Sequence, residues 1–168
     1  PQITSQTRQV VLDLSGLTRL FGDARAMGEA LRQTAADRGL RVQVAIAGTR
    51  TAARLLVRAA SGSVTVVDPG TEAAALARLP IQRLAVLAPS VTLLQAPVPS
   101  SPRGQSHVLS HDAVIATFRR WGLRTLGDVA ALPAAAVAAR LGQEGVRWQR
   151  LARGEDPRPL LPVVQEER

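Results

Sequence analysis

A chain of 168 residues without cysteine cannot form disulfides or thiolate metal sites, and its formal charge of +8 favours a polyanionic partner. All 21 basic residues are arginine, which the codon bias of a GC-rich genome explains as readily as phosphate binding does. No apolar stretch approaches the roughly 20 residues that a membrane-spanning helix requires. A length of 168 residues is compatible with one medium domain or two small ones.

The first half of the sequence alternates patterns typical of strands and helices. We predict strands at residues 9–14, 41–47 and 63–67, and helices at residues 23–38, 49–61 and 71–78. The run Gln9–Leu14 is rich in Val and Leu, which predicts a buried strand, whereas residues 41–47 alternate apolar and polar side chains. Gly39 is expected to end the first of these helices.

The second half is rich in proline at first and then helical throughout. An apolar stripe that includes Phe118 and Trp121 predicts a helix that ends at Gly122. Thr125 and Asp128 have the spacing of a capping box at the start of a short helix. Two more helices are predicted at residues 133–142 and 144–153.

Five stretches, in this order along the chain, resemble motifs of the Y-family, lesion-bypass DNA polymerases. They are LDLSG at 12–16, VAIAGTRTAARLL at 44–56, DPGTEAAALARLPIQRL at 68–84, WGLRTLGDVAALP at 121–133 and LGQEGVRWQRLARGEDPRPLLPV at 141–163. In that family such motifs belong to the palm and the thumb. The resemblance implies an α+β fold, in which a partial palm with a mixed or antiparallel sheet and two helices on one face precedes a small all-helical thumb.

The same resemblance divides the chain into three parts. They are a partial palm domain at residues 1–87, a Pro-rich linker at residues 88–109 and a helical thumb domain at residues 110–168. The chain begins with Pro1 and lacks a counterpart of the family's first metal-binding strand, so we expect a fragment of a longer protein.

Two residues near the first motif differ from the family where its metal site lies. When the Leu-Asp pair of this motif is aligned with the family, Arg8 and Gln9 occupy the positions of two carboxylates that bind catalytic magnesium ions. An arginine there would repel the metal, so we expect no catalytic residue, no cofactor and no enzymatic activity. His107 and His111 are four residues apart, but no cysteine or further histidine could complete a zinc site.

The resemblance also suggests a phosphate-binding segment at the second motif. Thr49 and Arg50 stand where the family has Asn and Lys, and Arg54 stands where a lysine contacts the phosphates of the incoming nucleotide. Backbone amides at a helix start, with two arginines one turn apart, could hold an anion. A plain helix start with solvated arginines is an equally good interpretation.

By analogy with a polymerase thumb, five arginines of the helical part are expected to contact the DNA backbone weakly. They are Arg119, Arg120, Arg124, Arg147 and Arg150. For any single one of them, a solvated polar face opposite the apolar side chains is the slightly favoured interpretation.

The lost carboxylates together with the retained scaffold resemble the ImuB-type, non-catalytic branch of the family. That resemblance implies a bacterial cytoplasmic, nucleoid-associated adaptor in damage-induced translesion synthesis. Its expected partners are DNA, an error-prone C-family polymerase, a sliding clamp and a RecA-like accessory protein. Two alternatives stay open, namely a fragment of an active Y-family polymerase with relocated carboxylates, and an interaction module that binds protein alone.

Overall fold

The structure, a computed structural model, describes residues 9–59, 62–87 and 111–156. Its elements are α1 (Thr18–Phe21), α2 (Ala24–Ala36), β1 (Val44–Ile46), α3 (Arg50–Leu56), β2 (Val64–Val66), α4 (Glu72–Leu76), a 3₁₀ helix (Ile81–Leu87), α5 (His111–Arg120), α6 (Leu126–Ala130) and α7 (Ala134–Ala152). The predicted α+β class is thereby confirmed. Within the described ranges, no helix is both long and apolar enough to cross a bilayer.

The two strands predicted at residues 41–47 and 63–67 form the described sheet. β1 and β2 pair in parallel, with Val44 beside Val64 and Ile46 beside Val66. α3 lies between them in the chain, and a helical crossover of this kind returns the second strand in the direction of the first. The described pair is parallel, and the mixed or antiparallel sheet that the resemblance implies stays a prediction.

α2 packs closely against this pair of strands because it carries a glycine at the contact. Asp23 begins the helix as its N-cap, and its carboxylate accepts a hydrogen bond from the backbone N–H of Ala26 at 2.8 Å. Gly28 is buried, and a Cβ at this position would lie 2.6 Å from Val64 Cγ1 and 3.4 Å from Ile46 Cδ1. A side chain here would therefore push the helix away from the sheet.

The prediction of a buried strand at Gln9–Leu14 is wrong. This segment has no regular structure, and Val10 and Leu12 are 80% and 57% exposed. An apolar run becomes a strand only where a neighbour supplies backbone hydrogen bonds, and in the described sheet neither β1 nor β2 pairs with this segment. The segment ends in a turn in which the Asp13 carboxylate accepts the Ser15 N–H at 2.9 Å.

The segment nevertheless contacts the rest of the chain through part of its apolar side chains. Leu12 and Leu14 line an apolar groove of about 300 Å³, whose other wall includes Phe21, Met27 and Leu31 of α1 and α2. The segment therefore lies beside α1 and α2 and forms one wall of this groove without a ladder of backbone hydrogen bonds.

A single hydrophobic core joins both halves of the chain. Leu55 of α3 and Leu84 of the 3₁₀ helix are fully buried together with Phe118 of α5 and Val129 of α6, and Trp148 of α7 is 2% exposed. Backbone hydrogen bonds between residues 79–81 and 124–126 reinforce this contact. The division into a palm domain and a thumb domain stays a prediction, and the predicted linker at residues 88–109 lies outside the described residues.

Local signals in the helical part have the expected outcome. The capping box is present, because the Asp128 N–H donates to Thr125 Oγ1 at 3.2 Å and the Thr125 N–H donates to Asp128 Oδ2 at 2.9 Å. The two helices predicted at residues 133–142 and 144–153 form α7, which is interrupted where Gly142 adopts φ 63° and ψ −159°. Only glycine takes that backbone conformation without strain.

Candidate nucleic-acid interface

The start of α3 is the first candidate site, and Thr49 caps it. The Thr49 backbone is extended, and its hydroxyl oxygen accepts the backbone N–H of Ala52 at 3.1 Å. The same hydroxyl donates its proton to the carbonyl oxygen of Gly154, which follows α7. Thr49 therefore joins α3 to the end of the helical part.

The next two amides of α3 are already bound to a carboxylate of the chain itself. The Arg50 N–H donates to Asp156 Oδ2 at 3.0 Å, and the Thr51 N–H donates to Asp156 Oδ1 at 2.8 Å. A carboxylate at a helix start satisfies free N–H groups and complements the helix dipole, as a phosphate would. Asp156 therefore occupies the position at which the sequence predicts an anion.

Arg54 is also engaged within the chain. Its guanidinium donates from Nη2 to the carbonyl oxygen of Val86 at 2.8 Å and from Nε to Gln9 Oε1 at 3.2 Å. Burial, and after it the repulsion from Arg50 and Arg58, lowers the pKa of the Arg54 guanidinium. A half-buried arginine that donates inward has few N–H groups left for a nucleotide.

The structure thus brings together Gln9 and Arg54, which the sequence assigns to two different functions. The two side chains are 45 residues apart in the chain, and the Gln9 amide also donates to the Arg54 carbonyl oxygen at 3.5 Å. A carboxamide offers a neutral oxygen to the guanidinium, where a carboxylate would form an ion pair. Arg8, the second altered metal position, lies outside the described residues.

The five predicted DNA-facing arginines separate into two groups. Arg147 forms a salt bridge with Glu144 at 3.4 Å, and Arg150 forms one with Glu155 at 2.8 Å. Exposed pairs of this kind contribute only about 0–1 kcal/mol to stability. Each carboxylate nevertheless offsets the charge of its arginine, so the pair attracts a distant anion less than a lone arginine would. The three others, which form no salt bridge with a described carboxylate, are all exposed: Arg119, Arg120 and Arg124.

Arg140, which the sequence does not single out, lies over the ring of Trp121. Its guanidinium carbon lies 5.4 Å from the centroid of the Trp121 ring. Trp121 is half-buried and meets the buried Phe118 edge to face, with ring centroids 5.7 Å apart. No pattern in the sequence relates residues 121 and 140, because α6 and the first turns of α7 lie between them.

His107 and His111 are the two histidines whose spacing in the sequence suggests a metal site. In the three described segments, no three His, Cys, Asp or Glu side chains come close enough to hold a metal ion. His107 lies outside those segments, and the side chain of His111 is not among the described ones.

Comparison with known proteins shows a distant similarity to DNA polymerases. No family model matches the chain. It is 28% identical over 151 residues to DNA polymerase IV 2 of Mesorhizobium japonicum, a match that covers 88% of this chain and 31% of that protein. It is 46% identical over 50 residues to DNA polymerase IV of Caulobacter vibrioides, covering 30% of this chain and 12% of that protein. The chain spans about a third or less of these relatives, and the similarity supports a distant relation to Y-family polymerases.

Proposed function

We propose that this chain is the DNA-contacting part of a non-catalytic, polymerase-like adaptor in translesion synthesis. The observation that carries the proposal is that the predicted nucleotide-binding groups are engaged within the chain. Asp156 occupies the amides at the start of α3, and Arg54 donates to Gln9 and to the Val86 carbonyl oxygen. Gln9 itself offers a neutral amide at the aligned position of a metal-binding carboxylate, and Mg²⁺ prefers charged oxygen ligands.

DNA is the partner that the proposal places first. The relatives are DNA polymerases by name, and the formal charge of +8 suits a polyanion. In the complete protein, an ImuB-type role adds contacts with an error-prone C-family polymerase, a sliding clamp and a RecA-like accessory protein. These partners follow from the resemblance.

A second candidate function is that of an active Y-family polymerase. It is favoured by the names of both relatives, since each is called a DNA polymerase IV. In that case an incoming nucleotide and its metal ions would have to displace Asp156 from the α3 amides. The two candidates differ in one property, which is Mg²⁺-dependent addition of a nucleotide to a primer.

Single-nucleotide primer extension with the full-length protein separates them. We expect no product with Mg²⁺ or Mn²⁺, under conditions where the Caulobacter vibrioides DNA polymerase IV extends the same primer. Incorporation that Arg54→Ala abolishes would contradict the adaptor proposal and establish the enzyme. Arg32→Ala is the matched control, because Arg32 pairs on the surface of α2 with Glu29, away from α3.

A third candidate, the module that binds protein alone, differs in its response to salt. A band-shift titration with duplex DNA at several salt concentrations distinguishes it from the adaptor. Contact with DNA phosphates requires affinity that falls steeply as salt rises, whereas absence of a shift at low salt supports protein binding alone.

A further inference from the structure

Four exposed arginines lie near Trp121, either in the chain or in space. Three of them flank it in the chain and the fourth lies over its ring, and we name them with it the Trp121 cluster: Arg119, Arg120, Arg124 and Arg140. None of the four forms a salt bridge with a carboxylate of the described residues. The cluster therefore brings to this end of α5 four arginine charges that no described carboxylate pairs with.

The stack of Arg140 on Trp121 prepares this surface for a ligand. The ring attracts the guanidinium through its π electrons and holds an otherwise flexible side chain at 5.4 Å. The ring in turn rests against Phe118, which is fully buried, so the stack is anchored in the core. A guanidinium that is already held over a ring loses less side-chain entropy when its N–H groups bind a phosphate.

Two carboxylates that lie four residues from arginines of the cluster in the chain make other hydrogen bonds. Asp128 accepts the backbone N–H groups of Arg124 and Thr125, both at 2.9 Å, and thereby serves the start of α6. Glu144 accepts from the indole N–H of Trp148 at 3.1 Å and pairs with Arg147. Arg147 and Arg150 pair with Glu144 and Glu155, whereas no described carboxylate pairs with an arginine of the Trp121 cluster.

We propose that the Trp121 cluster binds the backbone phosphates of duplex DNA, and that Arg147 and Arg150 do not. This inference rests on the proposed function, since it specifies which surface makes the DNA contact. Arginine suits the task because its planar fork bonds phosphate oxygens in pairs. It adds Arg140 to the predicted interface and removes two arginines from it.

The test compares two double variants that lose the same charge. Fluorescence anisotropy of a labelled primer–template duplex is measured for the chain, for Arg120→Gln/Arg140→Gln, and for Arg147→Gln/Arg150→Gln, across a range of salt concentrations. We expect the first pair to weaken binding on the order of tenfold and to reduce the slope of log affinity against log salt by about 2, which is roughly 0.9 per lost phosphate contact. The second pair should change affinity by less than about twofold at the same slope.

A third variant tests the stack itself. Arg140→Lys keeps the charge but replaces the planar fork, so we expect an intermediate loss of affinity with the slope preserved. Thermal unfolding of each variant confirms that its fold is retained. Equal losses in the two double variants, or a larger loss in the second, would overturn the assignment of the surface while leaving DNA contact intact. If the unaltered chain shows no salt-sensitive binding, the DNA contact in the proposed function fails as well.

Discussion

Asp156 joins the end of the chain's helical part to the start of α3, and its removal should measurably destabilise the fold. The substitution Asp156→Ala leaves the N–H groups of Arg50 and Thr51 without their acceptor. Loss of a capping carboxylate costs about 0.5–2 kcal/mol, and hydrogen bonds to charged groups contribute about 1.5–3 kcal/mol each before exposure to water is considered. Because Asp156 is exposed and Thr49 still caps Ala52, we expect a loss of about 1–2 kcal/mol.

Thermal and urea unfolding measure this loss directly. For a chain of this length the expected decrease in Tm is about 2–8 °C, from roughly 2–4 °C per kcal/mol. Asp156→Asn keeps one acceptor oxygen without the charge and should lose less. Asp68→Ala is the matched control, because this exposed carboxylate accepts no hydrogen bond from the described residues. If Asp156→Ala and Asp68→Ala unfold alike within a few tenths of a kcal/mol, the contact with α3 does not contribute to folding.

The remaining predictions concern packing, pH and backbone approach. Leu55→Ala should lower the free energy of unfolding in urea by about 2–5 kcal/mol because it opens a cavity in the shared core, whereas Leu12→Ala, at an exposed position, should cost well under 1 kcal/mol. Gly28→Ala should destabilise by about 1–2 kcal/mol, since the clash with Val64 outweighs the gain in helix propensity. Hydrogen bonds from Arg124 and Thr125 hold the pKa of Asp128 below its usual 3.8, so its stabilising contribution is complete above pH 3.8 and is lost as pH falls through the lower folded-state pKa. The difference in unfolding free energy between the chain and Asp128→Asn should shrink accordingly below pH 3.8.

Each of these expectations has an opposite outcome. Equal costs for Leu55→Ala and Leu12→Ala would mean that the core does not join the two halves. A stabilising Gly28→Ala, measured by urea unfolding, would mean that α2 does not lie on β1 and β2 at the described distance. A difference between the chain and Asp128→Asn that stays constant at all acidic pH values would contradict the capping geometry.

Local patterns predicted the elements whose interactions span few residues. The capping box of Thr125 and Asp128 needs only four consecutive residues, and the alternation at residues 41–47 is visible in the sequence itself. The strand predicted at Gln9–Leu14 failed because a strand also needs a partner, which its own residues do not specify. Composition alone could not distinguish that run from an irregular segment that packs in a groove.

The candidate sites depend even more on contacts between residues that are far apart in the chain. The sequence indicated Thr49, Arg50 and Arg54 as anion-binding groups, but not that Asp156, more than a hundred residues later, would take the amides. The contacts between Gln9 and Arg54 and between Trp121 and Arg140 likewise depend on how distant elements pack. The sequence therefore predicted the chemistry of single residues, but it did not predict the distant partners that decide what those residues do.

We propose that the chain contacts DNA while Asp156 occupies the amides of α3 that were predicted to bind a nucleotide. Fluorescence anisotropy of a labelled primer–template, at low and physiological salt, with and without Mg²⁺ and the complementary nucleotide, tests both parts together. We expect the chain to bind the primer–template with an affinity that falls as salt rises and is the same with or without Mg²⁺ and nucleotide. Tighter binding that requires Mg²⁺ and the correct nucleotide would contradict it, because a working nucleotide site would then exist.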